Sequence, residues 1–138
     1  MATTLSRKLG VKEGTRAYWV KAPADLASLL DMPGLDVLPR LAGQFDYIHA
    51  FVTSRSSLEA GFPGWKRHLR RAGMLWVSWP KSGQLETDLS LALVIKIGYD
   101  HGLVESKTIS VDSTWSAIKF TYPIQGKVYR NRYGRLKP

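Results

Sequence analysis

Thr15-Arg16-Ala17-Tyr18-Trp19-Val20-Lys21-Ala22-Pro23-Ala24-Asp25-Leu26 is the stretch whose reading decides the fold. Thr15–Val20 is rich in β-branched and aromatic side chains and reads as a buried strand. Asp25 reads as the cap of a short helix with Leu26, Leu29 and Leu30 on one face. A strand running directly into a helix opens an α/β unit. In nucleotide-binding domains of that kind, glycines at this first turn let the backbone approach a cofactor. Here the turn is Lys21-Ala22-Pro23, without glycine. The architecture is legible and the usual cofactor loop is missing.

Upstream, Leu5–Gly14 reads as a short arm or helix turn. Downstream, Met32-Pro33-Gly34 ends the first helix, Leu35–Leu38 is a short second strand, and Leu41-Ala42-Gly43 is a connector. In Phe45–Val52, Phe45, Tyr47, His49 and Phe51 alternate with Asp46, Ile48, Ala50 and Val52. Both faces are largely apolar, as in a strand covered on both sides. Ser56 and Glu59 have capping-box spacing. Leu58, Phe62, Trp65 and Leu69 then form a helical stripe, which Pro63-Gly64 is expected to kink or split before Ala72-Gly73 turns the chain. Met74–Trp79 is a buried strand stopped by Pro80, and Lys81-Ser82-Gly83-Gln84 is a loop. Thr87 or Asp88 is expected to cap a third helix reaching about His101, with Gly102 as its stop. Leu103–Val111 and Trp115–Tyr122, joined by Asp112-Ser113-Thr114, read as an antiparallel hairpin.

The sum is an α/β, three-layer, Rossmann-like domain over residues 1–122, followed by a basic extension at 123–138. A mostly parallel sheet closed by a C-terminal antiparallel hairpin is a reduced version of the methyltransferase-like plan.

Four stretches carry a family resemblance. They are Leu5-Ser6-Arg7-Lys8-Leu9-Gly10-Val11-Lys12-Glu13-Gly14, Phe51-Val52-Thr53-Ser54-Arg55, Gly73-Met74-Leu75-Trp76-Val77-Ser78-Trp79-Pro80-Lys81 and Val111-Asp112-Ser113-Thr114-Trp115-Ser116-Ala117-Ile118-Lys119-Phe120. On these the chain resembles the DUF3052 family of small bacterial proteins over about residues 5–122. The resemblance implies a Rossmann-like α/β domain and no established activity. The tail after Tyr122 lies outside the pattern.

The composition bounds the function. A chain of 138 residues with 44% hydrophobic content and five Trp suits one packed domain. With no Cys there is no disulfide framework, thiolate metal site or cysteine nucleophile, which fits a cytoplasmic protein. No apolar run approaches the roughly 18 residues of a membrane span. The sequence from Met1 to Glu13 lacks the apolar core of a signal peptide. The glycine fingerprints of dinucleotide sites, P-loops and serine-hydrolase elbows are absent, and His49, His68 and His101 have no metal-ligand spacing. No metal site is expected. His49, mid-strand on an apolar face, reads as a core histidine with satisfied ring nitrogens rather than an acid/base.

Open parallel sheets bind ligands beyond the carboxyl ends of their strands. Those ends supply Lys21; Thr53, Ser54 and Arg55; and Ser78, Trp79 and Lys81, with Asp112 and Trp115 of the hairpin as further candidates. Hydroxyls, cations and a helix start suit a small anion. Each residue also has a structural reading: Ser54 and its neighbours as a helix cap, Trp79-Pro80 as a strand exit, Asp112 as a turn cap, Trp115 as core.

Net charge is +9, yet residues 123–138 hold five cations and no acid, so the remainder carries 15 − 11 = +4. Lys66, Arg67, Arg70 and Arg71 form one basic focus; Lys127, Tyr129, Arg130, Arg132, Tyr133 and Arg135 form a second, interleaved with aromatics. Such clusters attract polyanions.

Three functional readings follow. The first is a non-catalytic, cofactor-free domain for a small anionic ligand or a protein partner, with room for a homodimer. The second is a divergent S-adenosylmethionine-dependent methyltransferase in which Lys21–Asp25 replaces the glycine turn and Asp36, poorly placed in its strand, would meet the ribose. The third is a nucleic-acid accessory protein acting through the two basic foci. The first is the primary expectation.

Overall fold

The computed structural model describes residues 4–30 and 34–137. Helix α1 (Leu5–Leu9) is capped by the Thr4 side chain and ends at Gly10, whose φ of 79° suits a left-handed C-cap. Strand β1 (Arg16–Val20) leads into α2 (Leu26–Leu30), then β2 (Asp36–Val37) and β3 (Phe45–Phe51). The expected stop of α2 at Met32-Pro33 lies outside the described residues. Helix α3 (Arg55–Arg67), β4 (Leu69–Pro80), a short 3₁₀ segment (Lys81–Glu86) and α4 (Leu91–Asp100) follow, and β5 (Val104–Ser110) and β6 (Trp115–Thr121) close the domain.

The sheet has six strands in the order β2-β1-β3-β4-β6-β5. Strands β2, β1, β3 and β4 are parallel, and β6 runs antiparallel to β4 and β5. This is the expected α/β sheet with its closing hairpin. Each face buries its own apolar cluster. One holds Leu58, Phe62 and Trp65 of α3, Val94 and Ile97 of α4, and Ile48, Val77 and Phe120 of the sheet. The other holds Leu5 and Leu9 of α1, Leu26 and Leu30 of α2, and Tyr47, Phe51 and Trp76. Three layers result because α1 and α2 cover one face while α3 and α4 cover the other.

Local details differ from expectation. Helix α3 runs unbroken through Pro63. An interior proline costs about 3 kcal/mol. Burying Leu58, Phe62 and Trp65 returns roughly 1.5–3 kcal/mol each, so the stripe wins. The helix begins at Ser54, which accepts from the Ser57 N–H, and not at Ser56. Ala72-Gly73 makes no turn. It lies inside β4, where pairing with β3 passes from Phe45↔Leu69 to Tyr47↔Met74 through an irregularity that absorbs the extra residues. The last helix starts later than expected, capped by Ser90. Thr87 instead takes the Leu89 N–H, and Asp88 reaches across to the Arg55 N–H at 2.8 Å.

Candidate functional site: the cleft between two strand ends

From β1 the chain moves outward through α2 to β2, then returns across β1 to β3 and continues through α3 to β4. Because α2 and α3 lie on opposite faces, the strand order switches direction between β1 and β3. Such a switch splays the two connections apart and leaves a crevice at the carboxyl ends. A cavity of about 370 Å³ lies there, within the size range of small-molecule sites.

Its lining comes from four elements: Val20 and Lys21 from the end of β1; Phe51, Val52 and Thr53 from the end of β3; Ser57, Ala60 and Trp65 from α3; and Trp115 from the start of β6. Trp115 reaches the carboxyl edge because antiparallel pairing sets it opposite Pro80, the last residue of β4. The Phe51 and Trp115 rings meet edge to face at 5.2 Å. Lys21 holds a φ of 51°, a left-handed conformation costing a non-glycine residue about 1–2 kcal/mol. The glycine-free turn therefore adopts a backbone shape for which glycine is the usual residue.

A buried polar chain supports this aromatic wall. Tyr47 Oη lies 2.6 Å from His49 Nδ1, and His49 Nε2 lies 2.6 Å from Ser78 Oγ. All three side chains are sealed from solvent. Burial pushes the Tyr47 hydroxyl far above its ordinary range and holds the His49 imidazole down at about 3, so the ring is neutral at physiological pH. The Trp19 indole N–H lies toward the Tyr47 hydroxyl without closing a hydrogen bond of ordinary geometry. The His49 ring stacks on Phe51 at 4.4 Å. His49 is thus a satisfied core histidine beneath the cleft.

Of the nine residues expected in the crevice, the cleft brings together Lys21, Thr53 and Trp115. Ser54 is spent as the α3 cap, and the Arg55 side chain pairs with Glu59 at 2.6 Å. Ser78 bonds His49, and Trp79 is buried in the α3-side core. Lys81 ties Ser110 to the Asp112 carbonyl, while the Asp112 carboxylate accepts the Thr114 and Trp115 N–H groups at 2.8 Å. The β4 end therefore braces the hairpin instead of joining the site. Sequence reasoning missed Phe51, Ser57 and Trp65, which carried only a strand or helix signal. The expected anion seat at the start of α3 is also corrected. Its Arg55 and Ser57 N–H groups already bond Asp88 and Ser54, and the Asp88 carboxylate stands where an anion would sit.

Two larger hollows, about 630 and 520 Å³, follow the C-terminal segment. Both are rimmed by Arg132 and Arg135, the first also by Arg130 and the second by Lys96, Asp100 and Lys137. Among the described residues there is no cluster of three His, Cys, Asp or Glu able to hold a metal ion, and no helix long and apolar enough to cross a membrane.

No family model matches the chain, and no curated protein matches it. Solved structures share its fold. A TehB-like SAM-dependent methyltransferase from Corynebacterium glutamicum aligns with a TM-score of 0.55 at 12% identity, covering 83% of each chain. Magnesium protoporphyrin IX methyltransferase from Synechocystis, with SAH bound, aligns at 0.57 and 10% identity, covering 80% of this chain and 75% of that one. Precorrin-6y C5,15-methyltransferase from Geobacter metallireducens aligns at 0.53 and 10% identity, covering 85% and 84%. The chain has the fold of these proteins. The primary expectation of a non-catalytic domain for a small anion is corrected on this finding: the three aligned structures are methyltransferases by name, which favours the methyltransferase alternative.

Proposed function

We propose that the chain is a divergent S-adenosylmethionine-dependent methyltransferase whose methyl donor occupies the cleft between the ends of β1 and β3. The observation that carries this reading is the aromatic-lined cavity at the topological switch point, directly beyond the left-handed turn at Lys21.

The residues suit the donor at two of its three recognition points. Aromatic faces attract onium cations, at about 0.5–2 kcal/mol per ring, and Phe51, Trp65 and Trp115 would receive the sulfonium side. The Lys21 ammonium would receive the donor carboxylate. For the ribose no acidic residue is in place. Asp36 opens β2 opposite Arg16, at the edge of the sheet away from the cleft, and the chain leaves β2 through Leu38-Pro39-Arg40. When bound, the donor supplies an electrophilic methyl group. The chain's own contribution is to orient that molecule between rigid strand ends and to keep water from it with Val20, Phe51, Val52 and Trp65. We also propose a cytoplasmic setting and kinship with the DUF3052 family, on the cysteine-free composition and the matched stretches.

Isothermal titration of the full chain with S-adenosylmethionine and with its demethylated product tests the proposal. One site per chain is expected, with Trp115→Ala weakening it about tenfold. Absence of heat with both compounds at millimolar concentration overturns it.

A further inference from the structure

The C-terminal segment is left unused by the cleft. It is also not loose. The Ile124 N–H bonds the Tyr129 hydroxyl at 2.8 Å, and the Asn131 amide donates to Glu105 Oε1 at 2.8 Å. Gly134 presses on α4 so closely that a Cβ there would meet the Tyr99 ring at 2.8 Å. Tyr129 and Leu136 pack against the α3/α4-side core. The cations of the arm are therefore held in fixed array. Lys127, Arg130, Arg132, Arg135 and Lys137 are exposed. The ion pairs among the described residues are Arg55–Glu59, Arg70–Asp46 and Lys96–Asp100, so no arm cation takes part in one.

The first basic focus meets the arm at its root. Tyr122 donates its hydroxyl to the Lys66 carbonyl, and Arg71 stacks over the Tyr122 ring at 4.7 Å. Two of that focus are engaged by the protein itself: Lys66 Nζ donates to the His101 carbonyl, and Arg70 pairs at the surface with Asp46. Arg67 and Arg71 remain exposed and outside every ion pair described. Since β6 is antiparallel to β4, Tyr122 lies toward the amino end of β4, at the edge of the sheet opposite the cleft.

We propose that the arm and its root form a binding surface for single-stranded nucleic acid, separate from the cleft. A polyanion fits a row of exposed cations on an anchored arm with no acid among residues 123–138. Guanidinium groups, three of the five arm cations, match phosphate oxygens in bidentate geometry. Unpaired bases are favoured because Tyr133 keeps an exposed ring with Arg132 5.7 Å above it, a platform on which a base can stack. Tyr129 is not such a platform, since its hydroxyl and ring pin the arm.

The test is fluorescence anisotropy of the full chain with labelled single-stranded RNA, single-stranded DNA of the same sequence, and the corresponding duplex. With about four phosphates neutralised, affinity for either single strand should fall roughly 50-fold between about 50 and 200 mM salt. The triple variant Arg130→Gln, Arg132→Gln, Arg135→Gln spares Tyr129, Asn131 and Gly134 and should keep the melting temperature. It should bind at least tenfold more weakly, with a salt slope shallower by about two. Tyr133→Ala should weaken the single strands and leave any duplex binding unchanged. No binding at low salt, unchanged affinity of the folded triple variant, tighter binding of the duplex, or equal binding of polyglutamate, which would mark an acidic protein partner, each overturns the proposal.

Discussion

His49 shows how one side chain can set a pH limit on the whole domain. Its ring is sealed between Tyr47 and Ser78 and takes a proton only near pH 3, whereas in the unfolded chain it does so near 6.5. Below 6.5 the unfolded state binds a proton that the folded state refuses, so stability is complete above that pH and is lost as pH falls toward 3. Chemical denaturation at pH 6.5 and 4.5 should show a loss of about 2–3 kcal/mol from this residue. His49→Gln should be less stable at neutral pH, because it disturbs two buried hydrogen bonds, yet flatter across the same interval. An unchanged slope in the variant would show that His49 does not control it. The sequence already pointed to a satisfied core histidine, since alternation placed His49 on an apolar face. The fates of Arg55 and Lys81 were hidden. Arg55 meets Asp88 through its N–H and Glu59 through its side chain, and Lys81 meets Ser110; neither periodicity nor motif spacing reports such meetings.

At the scale of elements, the helices were legible as stripes but not as boundaries. Local rules expected a break at Pro63 and a start near Thr87. Burial of Leu58, Phe62 and Trp65 overrode the first, and the side chain of Ser90 moved the second. Two glycines separate packing from propensity. A Cβ at Gly98 in α4 would stand 2.1 Å from the Phe120 ring, while at Gly64 in α3 the nearest atom, on Leu41, is 3.8 Å away. Alanine is the better helix former by up to about 1 kcal/mol. Gly64→Ala should therefore stabilise by about 0.5–1 kcal/mol, and Gly98→Ala should destabilise by about 1–3 kcal/mol through overpacking. Equilibrium unfolding in urea measures both. Equal and favourable effects would show that α4 and β6 pack less closely than described.

The whole molecule divides its tasks between opposite edges of one sheet. At the carboxyl edge the strand order switches and opens the aromatic cleft; at the amino edge and along α4 lie the cations. The sheet plan was readable because strands and helices alternate with sharp punctuation, and the closing hairpin has a short link. The cleft was only partly readable. Lys21, Thr53 and Trp115 follow from their places at strand ends or hairpin, but Phe51 and Trp65 look like core in any apolar stripe. Only the splaying of α2 and α3 to opposite faces turns those rings toward a cavity. The Trp residues offer a direct test of whether S-adenosylmethionine binds in the cleft, as proposed. Trp65 and Trp115 line the cleft, whereas Trp76 and Trp79 are buried and do not belong to its lining. Titrating S-adenosylmethionine into nitrogen-15-labelled protein and following the indole N–H signals, assigned with Trp65→Phe and Trp115→Phe, should move the Trp65 and Trp115 signals together and saturably while those of Trp76 and Trp79 hold still. Stationary Trp65 and Trp115 signals at saturating donor would contradict the account.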